Sequence, residues 1–585
     1  MQEWIEVGSL EELRKREVMV VKGAQCPIAV FVDGETIAAV DNRCPHMGFP
    51  LNRGSVRDGI LTCHWHHARF DLCNGCAFDL FADDVPSFET ELREGNVWVC
   101  NVPRQPLDLT AHRARLRRGL EHNLPLTQAK SLLGLLSGNA ALETFVEEVA
   151  TYGATHRMTW GPGLTWLAAV GNLWPHLDDE TKTLAAAQGV RQVAADCAGQ
   201  PMRHQLSAAE GPLQDKSTFA RWLAHWVQVR HRDGAERTLL EAMRSGMASH
   251  ELAALLAGAA TERPFADGGH LLDFCNKSCE LLDIIGWEKA DSILPLLASQ
   301  LAAARGAEES TAWRYPHDLG ILLQQSQTTL EDVLAQGKEK PAYAQSDLLQ
   351  LSEKLLGDDP DALIRAILDA LQNGATPAQL AQAVARAAAW RNAHFASSNE
   401  LSDWFTSMHT MTYTNATWRL MERLGENAKA VHVRAVLHGA FQVYLDRFLN
   451  VPPAALPQPQ SPQETDQSWH DAILQALDGR QGELASNLVA GAQQDGVPLP
   501  RLWGILAQAT QREDLDFHAT QILEACLQQS LLWPGDEALF LTATTRYLAA
   551  HCPTPRARLQ TIQVAMRLHR GDAIYEEDTG HEPRQ

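Results

Sequence analysis

The chain has 585 residues, a length that predicts several domains and a core large enough to need no disulfide staples. Its 50 Lys and Arg residues against 72 Asp and Glu residues give a formal net charge of −22, which excludes a general nucleic-acid binder because such proteins carry a basic footprint. No apolar run reaches membrane-spanning length, and the N-terminus lacks the apolar run of a signal peptide. We therefore expect a cytoplasmic protein without a membrane partner.

Residues 1–103 have the pattern of a small all-β domain. Short apolar segments such as VMVVKG, IAVFVDG and NVWVC alternate with Gly- and Asp-containing turns at 33–35, 57–59 and 93–95. Alternation of this length between turn residues is typical of strands joined by hairpins. The basic stretch that follows, 104–118, is predicted to be a linker.

The rest of the chain is rich in Ala, Leu, Gln and Glu at helical spacing, which predicts a large all-α catalytic domain over 119–451. The Pro- and Gln-rich segment 452–467 predicts a second linker, and a smaller helical domain follows at 468–570. The tail 571–585 has little apolar content and is predicted to be disordered. The predicted fold class is therefore multidomain, with one small all-β domain followed by all-α regions.

Two segments of the β domain contain a group of cysteines and histidines. Cys44 and His46 form C-x-H, and after sixteen intervening residues Cys63 and His66 form C-x2-H. Two thiolates and two imidazoles on two loops suit a structural zinc site. They equally suit a Rieske [2Fe-2S] cluster, in which two histidines replace two cysteines on one iron.

The residues around these four favour the cluster. Pro45 follows the first cysteine, Gly48 comes two residues after the first histidine, and Trp65 lies inside the second segment. With these residues, positions 1–103 resemble Rieske ferredoxin domains of the ferredoxin and oxygenase subtype, although His67 stands where relatives usually have Gly. The resemblance implies one iron held by two cysteines and one held by two histidines: Cys44 and Cys63, and His46 and His66.

A Rieske domain moves single electrons, so the chemistry on an organic substrate is expected from the helical part. The ring-hydroxylating oxygenase domain is not expected there, because its closely spaced histidine pair, H-x3-H or H-x4-H, is absent after residue 110. Instead, several apolar helical segments combine polar residues with aromatic and small ones. Such mixtures are typical of the wall of a pocket.

The segment around His270 has the most specific pattern. The glycine pair at 268–269 predicts a turn, so a helix is expected to begin at His270. Lys277 follows seven residues later and shares a helical face with His270, and Asp273 and Glu280 have the same spacing near that face. Burying such groups is unfavourable unless they pair with one another or bind a metal.

The helical segments resemble the questin oxidase-like family of helical oxygenases over residues 140–455. The resemblance is carried by H-R-M-T-W-G-P at 156–162, G-H-L-L-D-F-x-N-K at 269–277 and H-x5-H-G at 432–439. Members of that family oxidise polycyclic aromatic ketones and phenols, and some are non-haem iron enzymes with a His-rich site that includes a modified lysine. The resemblance implies a mononuclear non-haem iron with these ligands: His156, His270, His409, His438 and a carbamylated Lys277, with His432 as a further candidate.

An alternative for Lys277 is a salt bridge with Glu280 or Asp273, because an unmodified ammonium group is only a hydrogen-bond donor. The two histidines of H-x5-H are also an imperfect pair. A spacing of six residues places His432 and His438 about 120° apart around a straight helix, so they are not expected to point at one ion.

Three functions are compatible with these features. The first is an oxygenase in which the Rieske cluster passes electrons to a mononuclear non-haem iron for O2-dependent oxidation of an apolar, aromatic substrate, with Asp273, Glu280 and Tyr413 as candidate catalytic residues. The second is an electron carrier whose helical region docks another redox protein. The third is a helical enzyme that the cluster regulates as a redox sensor.

The source of electrons is expected to be a separate protein. The sequence contains neither a GxGxxG dinucleotide loop nor a P-loop. We therefore expect an external reductase or flavoprotein as the electron donor. A homo-oligomer is also compatible with the sequence.

Overall fold

The computed structural model describes most of the chain, which folds into two compact units. The first unit comprises residues 1–141 and 557–585, and the second comprises residues 142–556. The prediction of a small β domain followed by a large helical region is confirmed. The described residues are 4–105, 108–138, 140–208, 211, 214–396, 398–462 and 468–572.

The strands of the β domain form two antiparallel sheets. The larger sheet has the order β1-β9-β8-β4-β3-β2, and the smaller one has the order β5-β6-β7. Antiparallel neighbours of this kind need only the short Gly and Asp turns that the sequence contains. The strands are β1 (Trp4–Ser9), β2 (Val18–Lys22), β3 (Pro27–Asp33), β4 (Thr36–Asp41), β5 (Ser55–Arg57), β6 (Ile60–Thr62), β7 (Arg69–Asp71), β8 (Ser87–Arg93) and β9 (Asn96–Pro103).

One short helix lies within the β domain, and the others follow it. The helices are α1 (Leu10–Arg16), α2 (Leu109–Glu121), α3 (Pro125–Ser137), α4 (Leu142–His156), α5 (Pro162–Leu173), α6 (Asp179–Cys197), α7 (Lys216–Gln228), α8 (Arg232–Arg244), α9 (Ser249–Ala260), α10 (His270–Ile285), α11 (Ala290–Ile293), α12 (Ala298–Ala303), α13 (Leu319–Gly337), α14 (Gln345–Lys354), α15 (Pro360–Gln372), α16 (Pro377–Ala393), α17 (Leu401–Leu424), α18 (Ala430–Asp446), α19 (Trp469–Asp478), α20 (Gly482–Gln494), α21 (Leu499–Gln511), α22 (Phe517–Ser530), α23 (Glu537–His551) and α24 (Ala557–Arg570).

Strand β3 shows how the β domain is held together. Successive side chains of a strand point to opposite faces of the sheet, and the central side chains of β3 are buried on both faces. Phe31 contributes to a core that also contains Cys44 and Cys63. Its neighbour Val30 contributes to a second core with Val99 of β9. The two cysteines are therefore anchored in a packed interior.

Three helices complete the first unit. Helix α2 begins after Asp108, whose carboxylate accepts a hydrogen bond from the backbone N–H of Ala111. Helix α24 packs on α3 through a small apolar cluster that contains Ala129, Leu133 and Ala565. The last helix of the chain therefore belongs to the same unit as the β domain.

Helix α17 lies in the interior of the second unit, where it packs against α10, α16, α18 and α22. It is rich in threonine, a residue whose hydroxyl group must find a partner when it is buried. Thr410, Thr414 and Thr417 each donate to a backbone carbonyl three or four residues earlier in the same helix. These bonds allow a polar helix to be buried on nearly all sides.

The two units divide the chain at different places from the predicted domains. The predicted linker 104–118 contains most of α2, and the residues 468–556 cluster with the preceding helices in the second unit. The predicted linker 452–467 is without helix or strand over its described part, 452–462, and residues 573–585 of the predicted tail lie outside the described residues. None of the described helices is long and apolar enough to cross a membrane.

Candidate functional site

Two loops of the β domain carry the predicted cluster ligands. Cys44 follows β4, and Cys63 follows β6. The first loop is closed by hydrogen bonds from Cys44 N to Phe49 O (2.8 Å) and from Gly48 N to Cys44 O (2.7 Å). The second loop is closed by a bond from Cys63 N to Ala68 O (2.9 Å). Each cysteine is thus fixed by the backbone of its own loop.

Positive φ angles shape both loops. Gly48 has φ +79°, a conformation that glycine adopts without steric cost. A Cβ at that position would also lie 2.8 Å from Cδ2 of Leu568 in α24. His67 has φ +59°. This value explains why glycine suits that position and shows that the histidine accepts a strained backbone there.

The four side chains converge in the arrangement that a Rieske cluster needs. Both cysteines are buried, and their thiols share a hydrogen bond that raises the pKa of Cys44 and lowers that of Cys63 to about 6. The rings of His46 and His66 lie edge to face with centroids 4.8 Å apart. Cys44 and Cys63 are buried, whereas His46 is half-buried and His66 is exposed. The loops therefore offer two sulfur donors inside and two nitrogen donors near the surface.

His46 supplies a further test of the fit. Its Nδ1 atom is buried without a hydrogen-bond partner in the described structure. Burial lowers the pKa of His46 to about 4, and the neighbouring Lys130 adds to this effect. A neutral imidazole nitrogen without a partner is a suitable metal ligand. The donor set therefore fits a Rieske cluster.

Lys130 of α3 lies directly behind the first loop. Its Nζ donates to the backbone carbonyls of Pro45 and His46, the latter at 2.9 Å. It also lies 3.6 Å from Oδ2 of the buried Asp83. The helices of the first unit therefore place a nearly buried cation against the loop that carries Cys44 and His46.

A second group of imidazoles lies in the helical unit. His270 is the first residue of α10, His409 lies in α17, and His518 is the second residue of α22. Nε2 of His518 lies 3.1 Å from Nε2 of His270 and 3.1 Å from Nε2 of His409. One nitrogen from each ring lies within 4.8 Å of the other two. Three such nitrogens facing one another could hold a metal ion.

The outer nitrogens of this triad orient the rings. Nδ1 of His270 lies 3.0 Å from the carbonyl of Asp267, and Nδ1 of His518 lies 3.0 Å from Oδ2 of Asp516. The Asp267 carbonyl only accepts, so Nδ1 of His270 carries the proton and its Nε2 carries a lone pair, whereas Nδ1 of His518 lies close to the Asp516 carboxylate without a well-formed hydrogen bond. Burial lowers the pKa of His270 and lowers that of His409 to about 2, which keeps both rings neutral. The lone pair on Nε2 of His270 faces Nε2 of His518 at 3.1 Å, so a cation or a proton between the two nitrogens is favourable.

A buried polar column continues below the triad. Gln521 of α22 donates to Asp273 of α10 at 2.7 Å. One turn further, Lys277 donates to Glu280 at 2.8 Å and to Oε2 of Glu524 at 2.6 Å. The residue numbers of the paired side chains increase together along both helices: the pairs are His270–His518, Asp273–Gln521 and Lys277–Glu524. The ordering shows that α10 and α22 run in the same direction, with their polar faces in register.

Lys277 is a salt-bridged cation in this column. The carboxylates of Glu280 and Glu524 hold its pKa above the usual value although burial opposes this. Seven residues at 1.5 Å rise place it about 10 Å along the helix axis from His270. The structure therefore places Lys277 in a salt bridge with Glu280, as the alternative interpretation has it, and does not bring Lys277 to the triad.

The other predicted residues lie apart from the triad. Nδ1 of His156 lies 3.0 Å from the carbonyl of Tyr152, and His432 bonds to the backbone of Lys429 and Ala254. The different partners of His432 and His438 agree with their unsuitable spacing. His438 Nδ1 lies 3.5 Å from the hydroxyl of Tyr413. Of the predicted second-site ligands, the structure brings together His270 and His409.

Sequence reasoning missed His518, Gln521 and Glu524. A signal was present, because these residues recur at three-residue steps from the start of a helix. The pattern is similar to that of His270 and Asp273 at the start of α10. Two helices that have a histidine in the first turn and continue with buried polar residues on one face are candidates for pairing.

Comparison with known proteins identifies the N-terminal part. The family model for the Rieske [2Fe-2S] domain matches residues 3–89. The chain is 35% identical over 77 residues to the ferredoxin component of the naphthalene 1,2-dioxygenase/salicylate 5-hydroxylase systems of Ralstonia sp, covering 13% of this chain and 73% of that protein. It is 36% identical over 72 residues to the vanillate O-demethylase oxygenase subunit of Pseudomonas sp. (strain ATCC 19151), covering 11% of this chain.

The coverage of these relatives is uneven. The chain spans about a fifth of the vanillate O-demethylase oxygenase subunit, 22% of its length. Among solved structures, the ferredoxin of carbazole 1,9a-dioxygenase from Nocardioides aromaticivorans IC177 matches with 21% identity and a TM-score of 0.16, covering 16% of this chain and 95% of that one. The 35% identity over 73% of the Ralstonia ferredoxin component agrees with the convergence of two cysteines and two histidines in this chain. The chain therefore belongs to the family of proteins that carry a Rieske [2Fe-2S] domain.

Proposed function

We propose that the chain is an oxygenase in which the Rieske cluster passes electrons to a mononuclear non-haem iron in the helical unit. The single observation that carries this proposal is the convergence of the Nε2 atoms of His270, His409 and His518. Sets of two histidines and one carboxylate that leave positions open are typical of non-haem iron sites that activate O2, and here a third imidazole stands where those sites have the carboxylate. A one-electron donor in the same chain gives such an iron a source of electrons.

In this proposal the cluster is held by the residues of the two loops, with Cys44 and Cys63 on one iron and His46 and His66 on the other. When bound, the cluster exchanges single electrons with its partners. The exposed ring of His66 and the adjacent Trp65, whose ring centroids lie 4.5 Å apart, give it a surface for docking. Electrons enter there from an external reductase or flavoprotein.

The residues around the triad hold its geometry. Oδ1 of Asp516 accepts from the His518 backbone N–H at 3.1 Å, and Oδ2 lies 3.0 Å from Nδ1 of the ring, so one carboxylate holds the helix start and lies against the ring. Asp273 and Glu280 act as positioning residues, because they join α10 to its neighbours. Glu280 does so by accepting from Arg419 of α17 at 3.0 Å. The substrate is an apolar, aromatic molecule that binds beside the triad.

A second candidate function is electron transfer without a metal at the triad. The match to the Ralstonia ferredoxin component favours this function, because the chain covers 73% of a protein that is itself named as a ferredoxin component. In that case the helical unit is a scaffold for another redox protein. The three histidines would then share protons instead of an ion.

Reoxidation of the reduced chain by O2 tests the proposal. The full chain is reduced with dithionite, mixed with O2, and followed by the visible absorbance of the cluster. We expect His518→Ala to slow reoxidation at least about tenfold, because the triad without this histidine would lose the iron that accepts electrons from the cluster. His551→Ala is the matched control, because His551 is a half-buried histidine bonded to the Tyr547 carbonyl. Equal rates in wild type and both variants contradict the proposal.

A further inference from the structure

A cavity in the helical unit lies next to the triad. Its volume is about 470 Å³, and its walls are mainly apolar. Trp313 is buried in the wall, whereas Phe448 is more than half exposed. A volume of this order holds a small organic molecule of two or three fused rings.

The cavity and the triad share a strained piece of backbone. Phe265, Asp267 and Gly268 line the cavity and have φ values of +43°, +51° and +64°. The carbonyl of Asp267 is the group that orients Nδ1 of His270. Non-glycine residues with positive φ are rare and persist where the surrounding structure holds them, often at functional sites. The cavity wall is thus directly connected to one of the triad rings.

The same loop is tied to the opposite wall. The backbone N–H of Asp267 donates to the carbonyl of Arg305 at 2.8 Å, and that of Ala307 donates to the carbonyl of Pro264 at 2.7 Å. Arg305 and Ala307 also line the cavity. These bonds keep the loop in place, so the cavity is formed before any ligand binds.

Asp446 is the unusual residue of this cavity. It ends α18 and is 1% exposed, and its side chain lines the cavity. Oδ1 accepts from Gln442 at 3.0 Å, but Oδ2 has no hydrogen-bond partner in the described structure. The Thr410 hydroxyl lies within reach of this carboxyl, but its single proton is donated to the carbonyl of Thr406 at 3.2 Å. A buried carboxyl oxygen without a partner is unfavourable, and a ligand group that bonds to it removes this penalty.

We propose that Asp446 is a specificity-determining residue that binds the polar group of an apolar ring compound in this cavity. A hydroxyl group suits it best, because a hydroxyl both donates and accepts and therefore pairs with a carboxyl in either protonation state. A ketone pairs only with the protonated carboxyl, and an ammonium group only with the ionised one. The assignment of this ligand as the substrate rests on the proposed function, whereas the inference that such a ligand binds in the cavity does not.

Binding of 2-naphthol to the full chain tests the inference, measured by isothermal titration calorimetry. The comparison ligand is 2-methoxynaphthalene, which has the same rings but cannot donate a hydrogen bond. We expect wild type to bind 2-naphthol at least about tenfold more tightly, a ratio that one buried hydrogen bond accounts for. Asp446→Leu should bring the two affinities within about twofold of each other, because it removes the hydrogen-bonding group.

A second variant tests the location without touching the buried carboxyl. Ala312 lines the cavity and is exposed, so Ala312→Trp should fill the cavity and reduce binding of both naphthalenes at least about tenfold. Ala335→Trp, at an exposed position of α13, is the matched control and should leave binding unchanged. Equal affinity of wild type for both ligands, or unaltered binding in Ala312→Trp, overturns the inference.

These outcomes are separable from those for the iron. Calorimetry on His518→Ala measures the cavity when the triad cannot hold a metal, and we expect the preference for 2-naphthol to persist there. Loss of that preference in His518→Ala, with the same fold by circular dichroism, contradicts a binding site built by Asp446. The ligand site can therefore fail while the iron is present, and it can hold while the iron is absent.

Discussion

Nε2 of His518 lies 3.1 Å from Nε2 of His270, although 248 residues separate them in the chain. The contact arises because these histidines lie at the first turns of α10 and α22, which run in the same direction. Below it, the Asp273–Gln521 bond and the salt bridge of Lys277 to Glu524 keep the two helices in register. These buried polar pairs therefore fix the distance between the two candidate metal ligands.

The assignment of the cluster ligands predicts that Cys44→Ser abolishes the Rieske EPR signal and the visible absorbance, while the helices keep their circular dichroism. The serine oxygen replaces a buried thiolate that holds iron. Cys73→Ser is the control, since Cys73 is an exposed cysteine of the same domain, and it should leave both signals intact. A full-strength Rieske signal in Cys44→Ser shows that the ligand assignment is wrong.

The position of Lys130 predicts an effect on the reduction potential of the cluster. Its buried ammonium group donates to the carbonyls of Pro45 and His46, and a nearby positive charge favours the reduced, more negative cluster. Lys130→Met should lower the midpoint potential by roughly 30–60 mV, where about 59 mV is a tenfold change for one electron. Lys130→Arg keeps the charge and should shift the potential less. Spectroelectrochemistry that finds equal potentials in wild type and Lys130→Met contradicts this role.

Lys277→Met should destabilise the helical unit by about 3–5 kcal/mol, because it leaves Glu280 and Glu524 buried without their shared cation. Urea unfolding followed by circular dichroism measures this loss. The double variant with Glu524→Gln should recover part of it, since one uncompensated charge is gone.

The same residue distinguishes a structural lysine from a carbamylated iron ligand. A carbamate at Lys277 would add a third negative charge beside Glu280 and Glu524, so we expect bicarbonate to leave iron loading of wild type unchanged. Dependence of iron loading on bicarbonate contradicts the salt-bridge role and supports a carbamylated ligand.

Asp446 predicts a dependence of stability on pH. Burial raises its pKa to about 7, whereas in the unfolded chain the carboxyl ionises near its usual value of 3.8. Between these two pKa values the folded state keeps a proton that the unfolded state has lost. Rising pH therefore lowers the free energy of unfolding by roughly 1.4 kcal/mol for each pH unit in this range. Asp446→Asn should flatten the decline in unfolding free energy between about pH 4 and about pH 7. An unchanged pH profile contradicts an ionisable, buried Asp446.

The sequence predicts best where the relevant residues are close together in the chain. The C-x-H and C-x2-H spacing and the surrounding Pro45, Gly48 and Trp65 are local, and the β domain formed by residues 1–103 is confirmed. The start of α10 at His270 is also local, because two glycines with positive φ precede it.

Long-range pairing was not predictable from the same patterns. His518 joins His270 and His409 only because three helices from distant segments pack together. Likewise α24 joins the first unit because Ala565 packs on α3, an apolar contact of a kind that many helices could make. His432 and His438 have different hydrogen-bond partners, and no spacing could indicate which distant residue joins His270 and His409.

The iron content of the purified chain tests the central claim most directly. Metal analysis by mass spectrometry, with the protein concentration from amino-acid analysis, should give three irons per chain in wild type, since a Rieske cluster holds two and the triad holds one. His518→Ala should give two irons and an unchanged Rieske EPR signal, and His551→Ala should give three. Two irons in wild type, with no other transition metal, would contradict the account and leave the electron-carrier function in its place.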